Sequence, residues 1–282
     1  MLLLNGKETA ATIRARLKTE IAGLVEAHGR PPGLAVILVG EDAPSQVYVR
    51  NKERACADAG IASQTFRLPA DTPQAELEGH IQDLNAREDI DGILLQLPLP
   101  TGLDSQRCLD LIDPAKDVDG FHPVNMGRLL LNLPGPKPCT PAGILTLLDH
   151  YGIDPAGKHC VIVGRSNIVG KPLAQLLLAR HGTVTVCHSR TRDLPAITRQ
   201  GDIVCVAIGR TGFLTPEMVK EGAVVVDVGI NRTDDGLKGD ADFDGLQDKV
   251  AAITPVPGGV GPMTIAQLLL NTLESYTARV QR

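Results

Sequence analysis

Tryptophan is absent from the 282 residues and aromatic side chains make up only 2% of them. An aromatic-lined recognition surface is therefore excluded, and the core must be packed with Ala, Val, Ile and Leu, which suits strands covered by helices. No window approaches the roughly 18 consecutive apolar residues of a membrane span. The opening "MLLLNGK" has a short apolar run and no basic stretch ahead of it, unlike a secretory signal. A basic patch is missing too: 28 Lys and Arg face 33 Asp and Glu, for a formal charge of −5. Neither nucleic acid nor an anionic membrane surface is drawn to such a protein. The six cysteines, Cys56, Cys108, Cys139, Cys160, Cys187 and Cys205, stand singly, with no C-x-x-C and no histidine at ligand spacing. They read as reduced, small apolar residues rather than metal ligands or disulfide partners. No metal is expected, and the expected location is cytoplasmic.

What remains is an ordinary globular composition, 43% hydrophobic and 22% charged, with length for about two domains. Helical and strand patterns alternate almost from the start. "KETAATIRARLKTEIAGLVEAHG" has helical periodicity, and "GLAVILVG" is an apolar run between glycines that reads as a buried strand. "SQVYVRNKERACADAG" and "TPQAELEGHIQDLNAR" read as helices, "ASQTFRL" and "DGILLQL" as strands. Prolines then break the regular patterns between Leu97 and Pro141, which is where the domain junction is placed. A second series follows, with "KHCVIVG", "TVTVCHS", "DIVCVAIG" and "AVVVDVG" as strands. The amphipathic "MTIAQLLLNTLESYTARV" closes the chain. Continuous apolar strands, each followed by a helix, predict mostly parallel α/β sheets in two domains.

The second series contains a nucleotide-binding pattern. "VIVGRSNIVGKPLAQLLL" runs from a strand through Gly164, Arg165, Ser166 and Gly170 into a helix, the context a dinucleotide loop requires. Ser166 replaces the middle glycine of G-x-G-x-x-G; it is small and brings a hydroxyl that a phosphate can use. Arg165, with Ser189 and Arg190 at the end of the next strand, stands where an NAD enzyme places an acidic residue for the ribose. Cationic and hydroxyl donors there favour a 2′-phosphate, hence NADP.

Tyr48 and Lys52 lie four residues apart, a spacing that puts them on one face of a helix. Such a pair is the acid/base signature of the short-chain dehydrogenases, but there it follows the nucleotide loop. Here it precedes the loop by more than a hundred residues, and the order excludes that reading. Tyr48, Lys52, Cys56 and Ala59 form one stripe, opposite Arg50, Arg54 and Asp58. A lysine usually ends in solvent; one on an apolar stripe is a candidate for a desolvated amine of lowered pKa. Gln96 ends a strand, where the crevice of an open α/β sheet forms, and Asp117 and Asp119 follow in "KDVDG". Two Asp in a loop are more often turn formers, but these lie between the lysine helix and the nucleotide domain.

"YVRNKERACADAGI", "DGILLQLPLP", "KDVDGFHPVNMGRL", "PCTPAGI", "VGRSNIVGKPLAQLLL", "VTVCHSRT", "DVGIN" and "PVPGGVGPMTIAQLL" together resemble the bifunctional methylenetetrahydrofolate dehydrogenase/methenyltetrahydrofolate cyclohydrolase family over the whole chain. One departure is Ala43-Pro44, where the family often has the reverse order. The resemblance implies an N-terminal folate-binding catalytic domain over residues 1–121. A Rossmann-like NADP-binding domain over 122–261 follows, with a cleft between the two and a closing helix, 262–282, that packs back on the first. It implies a homodimer, and one-carbon folate chemistry that feeds purine and amino-acid biosynthesis. Two reactions are implied: NADP-dependent oxidation of 5,10-methylenetetrahydrofolate to the 5,10-methenyl cation, and hydrolysis of that cation to 10-formyltetrahydrofolate. Carried over by position, Lys52 is the catalytic lysine, Tyr48 lines the folate site, Gln96 bonds Lys52 and Asp119 holds the pterin. Gly164, Arg165, Ser166, Ser189 and Ile230 fall on NADP positions. Two rivals stay open: another NADP dehydrogenase with a catalytic lysine, of amino-acid or shikimate type, and a silent NADP-sensing protein.

Overall fold

The structure, a computed structural model, describes residues 1–281; residue 282 of the expected closing helix lies outside them. From the N-terminus, β1 (Leu2–Leu3) leads into α1 (Gly6–His28), β2 (Gly33–Val39), α2 (Ala43–Ala59), β3 (Ala62–Leu68) and α3 (Gln74–Ala86). Then come β4 (Gly92–Leu95), α4 (Ser105–Leu111), α5 (Pro123–Leu130) and α6 (Cys139–His150). The second series is β5 (His159–Val163), α7 (Gly170–Ala179), β6 (Thr183–Cys187), α8 (Leu194–Thr198), β7 (Ile203–Val206) and β8 (Val224–Asp227). A hairpin, β9 (Asn231–Thr233) and β10 (Gly236–Lys238), precedes α9 (Phe243–Leu246), β11 (Ala252–Ile253) and α10 (Val260–Val280).

Each apolar run read as a strand is one. The proline-rich stretch is more regular than expected, because α4 and α5 form inside it. Pro123 is the reason in α5: at the first helical position its missing N–H would have no intrahelical partner anyway. The His122 Nδ1 caps the same end by accepting from the Val124 N–H at 3.1 Å.

Two compact units are present. One comprises Thr12–Cys139 and Ile265–Arg282, the other Met1–Ala11 and Thr140–Thr264. The first unit's sheet has the order β3-β2-β4, all parallel. Its central strand β2 is buried at every residue, as its unbroken apolar run requires. The backbone of 116–118 extends this sheet beyond β4, through a parallel bridge between Ile93 and Asp117 and the Ile93 N–H donated to the Lys116 carbonyl at 2.7 Å. The unit runs past residue 121 because α5 is held to it: Asn125 Nδ2 donates to the Asp117 carboxylate and to the Pro114 carbonyl, both at 2.8 Å.

The second unit is a six-stranded parallel sheet of order β1-β11-β8-β7-β5-β6. The first residues belong here because Leu2 and Leu3 pair with Ala252 and Ile253 in β11. A close approach fixes Gly6 at the same place, since a Cβ there would come 1.8 Å from the Gly259 carbonyl oxygen. β5 is flanked by β6 on one side and β7 on the other, so the strand order reverses between β5 and β7. Ligands bind at such a switch point, outside the carboxyl ends of the strands.

Candidate active site

In the first unit, α2 carries the lysine. Asp42 caps the helix by accepting from the Ser45 N–H at 2.9 Å, Pro44 lies in the first turn, and Gly60 ends it at φ 85°. Ser45, Val49, Lys52, Ala55, Cys56 and Ala59 form its buried face, while Arg50, Arg54 and Asp58 are exposed. Lys52 is 9% exposed, inward as the stripe predicts. Tyr48 departs from the stripe: it is 38% exposed, at the edge of that face one turn earlier.

Gln96 follows β4 and donates its backbone N–H to the Ile37 carbonyl, which fixes it at the carboxyl end of the sheet. Its Nε2 donates to the Leu97 carbonyl at 2.7 Å, so the amide presents Oε1 to Lys52, and Nζ donates to it at 2.9 Å. A charge-assisted bond of this kind contributes about 1.5–3 kcal/mol and holds a flexible side chain in one orientation.

The two aspartates of the loop separate. Asp117 is 2% exposed and takes four donors: the N–H groups of Gly120, Phe121 and His122 and the Asn125 amide. It organises the turn. Asp119 is half-buried beyond the sheet-extending segment. Burial pushes its carboxyl above the ordinary value, opposed by the Lys52 ammonium; Asp117 adds to the push, and a hydrogen bond with the Cys139 thiol counters it. Cys139 is one residue that sequence reading passed over as a small apolar filler. Its thiol donates to the Val118 carbonyl at 3.3 Å, accepts from Asn271 Nδ2 at 3.6 Å, and is raised well above the usual range by burial and by Asp119. Its signals in the sequence were its place after Pro138, outside any apolar run, and its membership of the "PCTPAGI" stretch. Lys52, Gln96 and Asp119 thus gather at one edge of one sheet.

In the second unit, Gly164 has φ 130°, and a Cβ there would come 2.4 Å from the Ala207 carbonyl oxygen. Only glycine fits between the ends of β5 and β7. Gly170 lets α7 approach the loop, since its Cβ would lie 2.2 Å from the Gly164 carbonyl oxygen. Ser166 Oγ accepts from the Val169 and Gly170 N–H groups at 3.1 and 3.4 Å, and its backbone carbonyl takes the Lys171 N–H. Accepting leaves the serine's own O–H to donate outward. The parallel register pairs Val163 with Cys187, so Arg165 and Ser189, both exposed, leave neighbouring strand ends. Ile230, 45% exposed, follows β8 on the same edge of the sheet. A glycine cradle, a hydroxyl and a guanidinium at a switch point fit a phosphorylated dinucleotide. Among the described residues no group of His, Cys, Asp and Glu could hold a metal ion.

Comparison with known proteins agrees with this geometry. Residues 4–119 match the tetrahydrofolate dehydrogenase/cyclohydrolase catalytic domain, and residues 138–280 match the NAD(P)-binding domain of the same family. The bifunctional protein FolD of Oleidesulfovibrio alaskensis is 66% identical over 99% of both chains. The solved FolD methylenetetrahydrofolate dehydrogenase/cyclohydrolase of Campylobacter jejuni superposes with a TM-score of 0.97 at 49% identity, covering 99% of each chain. The methylenetetrahydrofolate dehydrogenase-cyclohydrolase of Trypanosoma brucei, solved with NADP and an inhibitor, gives 0.95 at 39% identity over 100% of this chain and 99% of that one.

Proposed function

The chain belongs to the tetrahydrofolate dehydrogenase/cyclohydrolase family, and we propose that its two reactions are divided among Lys52, Gln96, Tyr48 and Asp119 in one unit and Gly164, Arg165, Ser166, Ser189 and Ile230 in the other. The reactions are the NADP-dependent oxidation of 5,10-methylenetetrahydrofolate to 5,10-methenyltetrahydrofolate and the hydrolysis of the latter to 10-formyltetrahydrofolate. The observation that carries the division is Lys52 itself, on the apolar face of α2 with its Nζ 2.9 Å from Gln96 Oε1.

NADP, when bound, accepts the hydride. Loss of that hydride leaves a resonance-stabilised amidinium, so this step asks the chain mainly to position the folate. Asp119 does so by accepting two N–H bonds from the guanidine-like edge of the pterin, and Tyr48 by laying its ring against the folate. Hydrolysis asks for more. Water attacks the cationic carbon and must lose a proton, which Lys52 accepts in its neutral amine form, the form that the cationic folate favours by repelling an ammonium, while Gln96 keeps Nζ aimed at the site. On the nucleotide side, Arg165 and Ser189 would hold the 2′-phosphate, Ser166 and the Gly164 turn would hold the pyrophosphate, and exposed Ile230 would offer the dinucleotide an apolar contact.

The folate domain is assigned to the unit built on β2, β3 and β4, with the end of the closing helix, and the NADP domain to the six-stranded unit. A homodimer is supported by edge strand β6, where Val186 is 37% exposed and Leu178 on the preceding α7 is 57% exposed; a second copy of the chain would cover them. Six free, buried cysteines support a reducing, cytoplasmic location, and no helix among the described residues is long and apolar enough to cross a membrane. The net charge of −5 speaks against a nucleic-acid partner. The product would supply one-carbon units to purine and amino-acid biosynthesis.

Mixing the purified protein with methylenetetrahydrofolate and NADP tests the whole assignment. NADPH absorbance should rise, and methenyltetrahydrofolate added alone should decay. A protein that oxidises shikimate or an amino acid instead, or binds NADP and turns over neither folate, would refute it.

A further inference from the structure

The nucleotide unit contains two buried carboxylates, Asp227, which opens the "DVGIN" stretch, and Asp240, neither of them among the site residues assigned above. We propose that they are positioning residues for the dinucleotide site, acting through the backbone at the carboxyl ends of β7 and β8. The proposal rests on the assignment of Gly164–Ser166 and Ile230 to that site.

Asp240 is fully buried. Its Oδ2 accepts from the N–H groups of Ile208 and Gly209 at 2.6 and 2.9 Å, and its Oδ1 from the Arg210 N–H at 2.7 Å and Asn231 Nδ2 at 2.9 Å. Three successive backbone N–H groups converge because Gly209 turns the chain at φ 66°. Such a concavity binds anions, and here the protein's own carboxylate fills it. The loop after β7, which flanks the switch point, is thereby tied to one shape.

Asp227 ties down the holder. It ends β8, is 3% exposed, and accepts from the N–H groups of Gly229 at 2.9 Å and of Asp240 and Ala241 at 2.8 Å. The two carboxylates also dictate their neighbours. A Cβ at Gly229 would lie 2.2 Å from Asp240 Oδ1, and one at Gly239 would lie 1.8 Å from Asp227 Oδ2. Ile230 therefore sits between two anchored residues, Gly229 held by Asp227 and Asn231 held by Asp240. Both carboxylates direct their hydrogen bonds to the segments that leave β7 and β8 and to residues 240–241, which follow the hairpin.

The test uses the full chain and two readouts: NADP affinity by titration calorimetry, and the cyclohydrolase reaction, which consumes no NADP. Asp240→Asn turns an amide N–H₂ toward backbone donors. It should weaken NADP binding and raise the dehydrogenase KM for NADP about tenfold, leaving cyclohydrolase turnover and the KM for folate unchanged. Asn231→Ala removes a single donor and should weaken NADP about threefold; it decides the matter if Asp240→Asn does not fold. Ile230→Gly serves as the reference for the site assignment. If Ile230→Gly weakens NADP while a folded Asp240→Asn or Asn231→Ala binds it as the parent does, the positioning role is overturned. Loss of both activities in step with NADP affinity would also overturn it, in favour of a role in general stability. If Ile230→Gly itself leaves NADP affinity unchanged, the failure lies in the site assignment.

Discussion

Asp117 and Asp119 are two residues apart in "KDVDG", and the structure gives them different work. Asp117 satisfies four donors of its own turn, whereas Asp119 faces Cys139 and the field of Lys52. Asp119→Asn keeps the shape and replaces an acceptor oxygen with a donor, so it should raise the KM for folate and lower both activities, with thermal stability near that of the parent. Asp117→Asn should do the reverse, costing stability of about 1–3 kcal/mol through donors left unpaired. Steady-state kinetics beside thermal melts separate them; unchanged folate KM in Asp119→Asn would reduce that residue to a turn former. Position in the chain marked both aspartates without separating them, because their donors are backbone groups whose direction only the fold sets; the family resemblance alone singled out Asp119. Lys52 was more legible: three-four spacing on α2 sufficed to turn it inward. Tyr48, on the same arithmetic, came out at the edge, since a stripe read from spacing has no sharp border.

At the scale of elements, the central parallel strands β2, β4, β5, β7 and β8 were legible because each is an apolar run buried along nearly all its length, whereas the edge strands β3 and β6 are mixed in composition and partly exposed. The short strands β1 and β11 were not legible, being two residues each and held by register with a neighbour rather than by pattern. Tertiary contacts of α10 were equally hidden. Arg279 near its end donates to the buried Asp91 at 2.8 Å, and Arg30 binds the same carboxylate through both terminal nitrogens at 2.6 and 2.9 Å. Asp91 also accepts the Gly33 N–H at the start of β2, so one carboxylate joins the helix end to the sheet. Asp91→Ala should destabilise the protein by about 3 kcal/mol, because two guanidinium groups and a buried N–H lose their partner together. Urea unfolding measures this; a loss below about 1 kcal/mol would mean that solvent replaces the network.

For the whole molecule, the sequence indicated two α/β domains, and the limits expected for them, 1–121 and 122–261 with 262–282 packed back on the first, came from the proline-rich junction and the family resemblance rather than from a break in the helical pattern. The unit boundaries at Ala11/Thr12 and Thr264/Ile265 fall inside α1 and α10, where helical periodicity continues without a break. Stability at this scale has a pH signature. Burial pushes the Asp227 carboxyl up to about 6, with Asp240 adding to the push and three backbone N–H groups opposing it. The folded value exceeds the unfolded one, so the folded state binds more protons between about pH 4 and 6. The contribution of Asp227 is therefore fully present below about pH 4 and is lost as pH rises through about 6, a change of roughly 3 kcal/mol. Between pH 5 and 7 the wild type should lose about 1 kcal/mol relative to Asp227→Asn, which cannot titrate. Paired thermal melts read this difference, and one that stays flat with pH would contradict the burial argument.

The central claim is that Lys52 moves the proton of hydrolysis while hydride transfer depends on geometry. Lys52→Met, of similar length but without an amine, separates these demands. NADPH formation and methenyltetrahydrofolate decay should be followed independently on this one variant. Hydrolysis should fall by about 10²–10⁴, the usual worth of a positioned proton acceptor, while dehydrogenation keeps most of its rate. Equal loss of the two activities would contradict the account and leave Lys52 as a residue that only positions the folate.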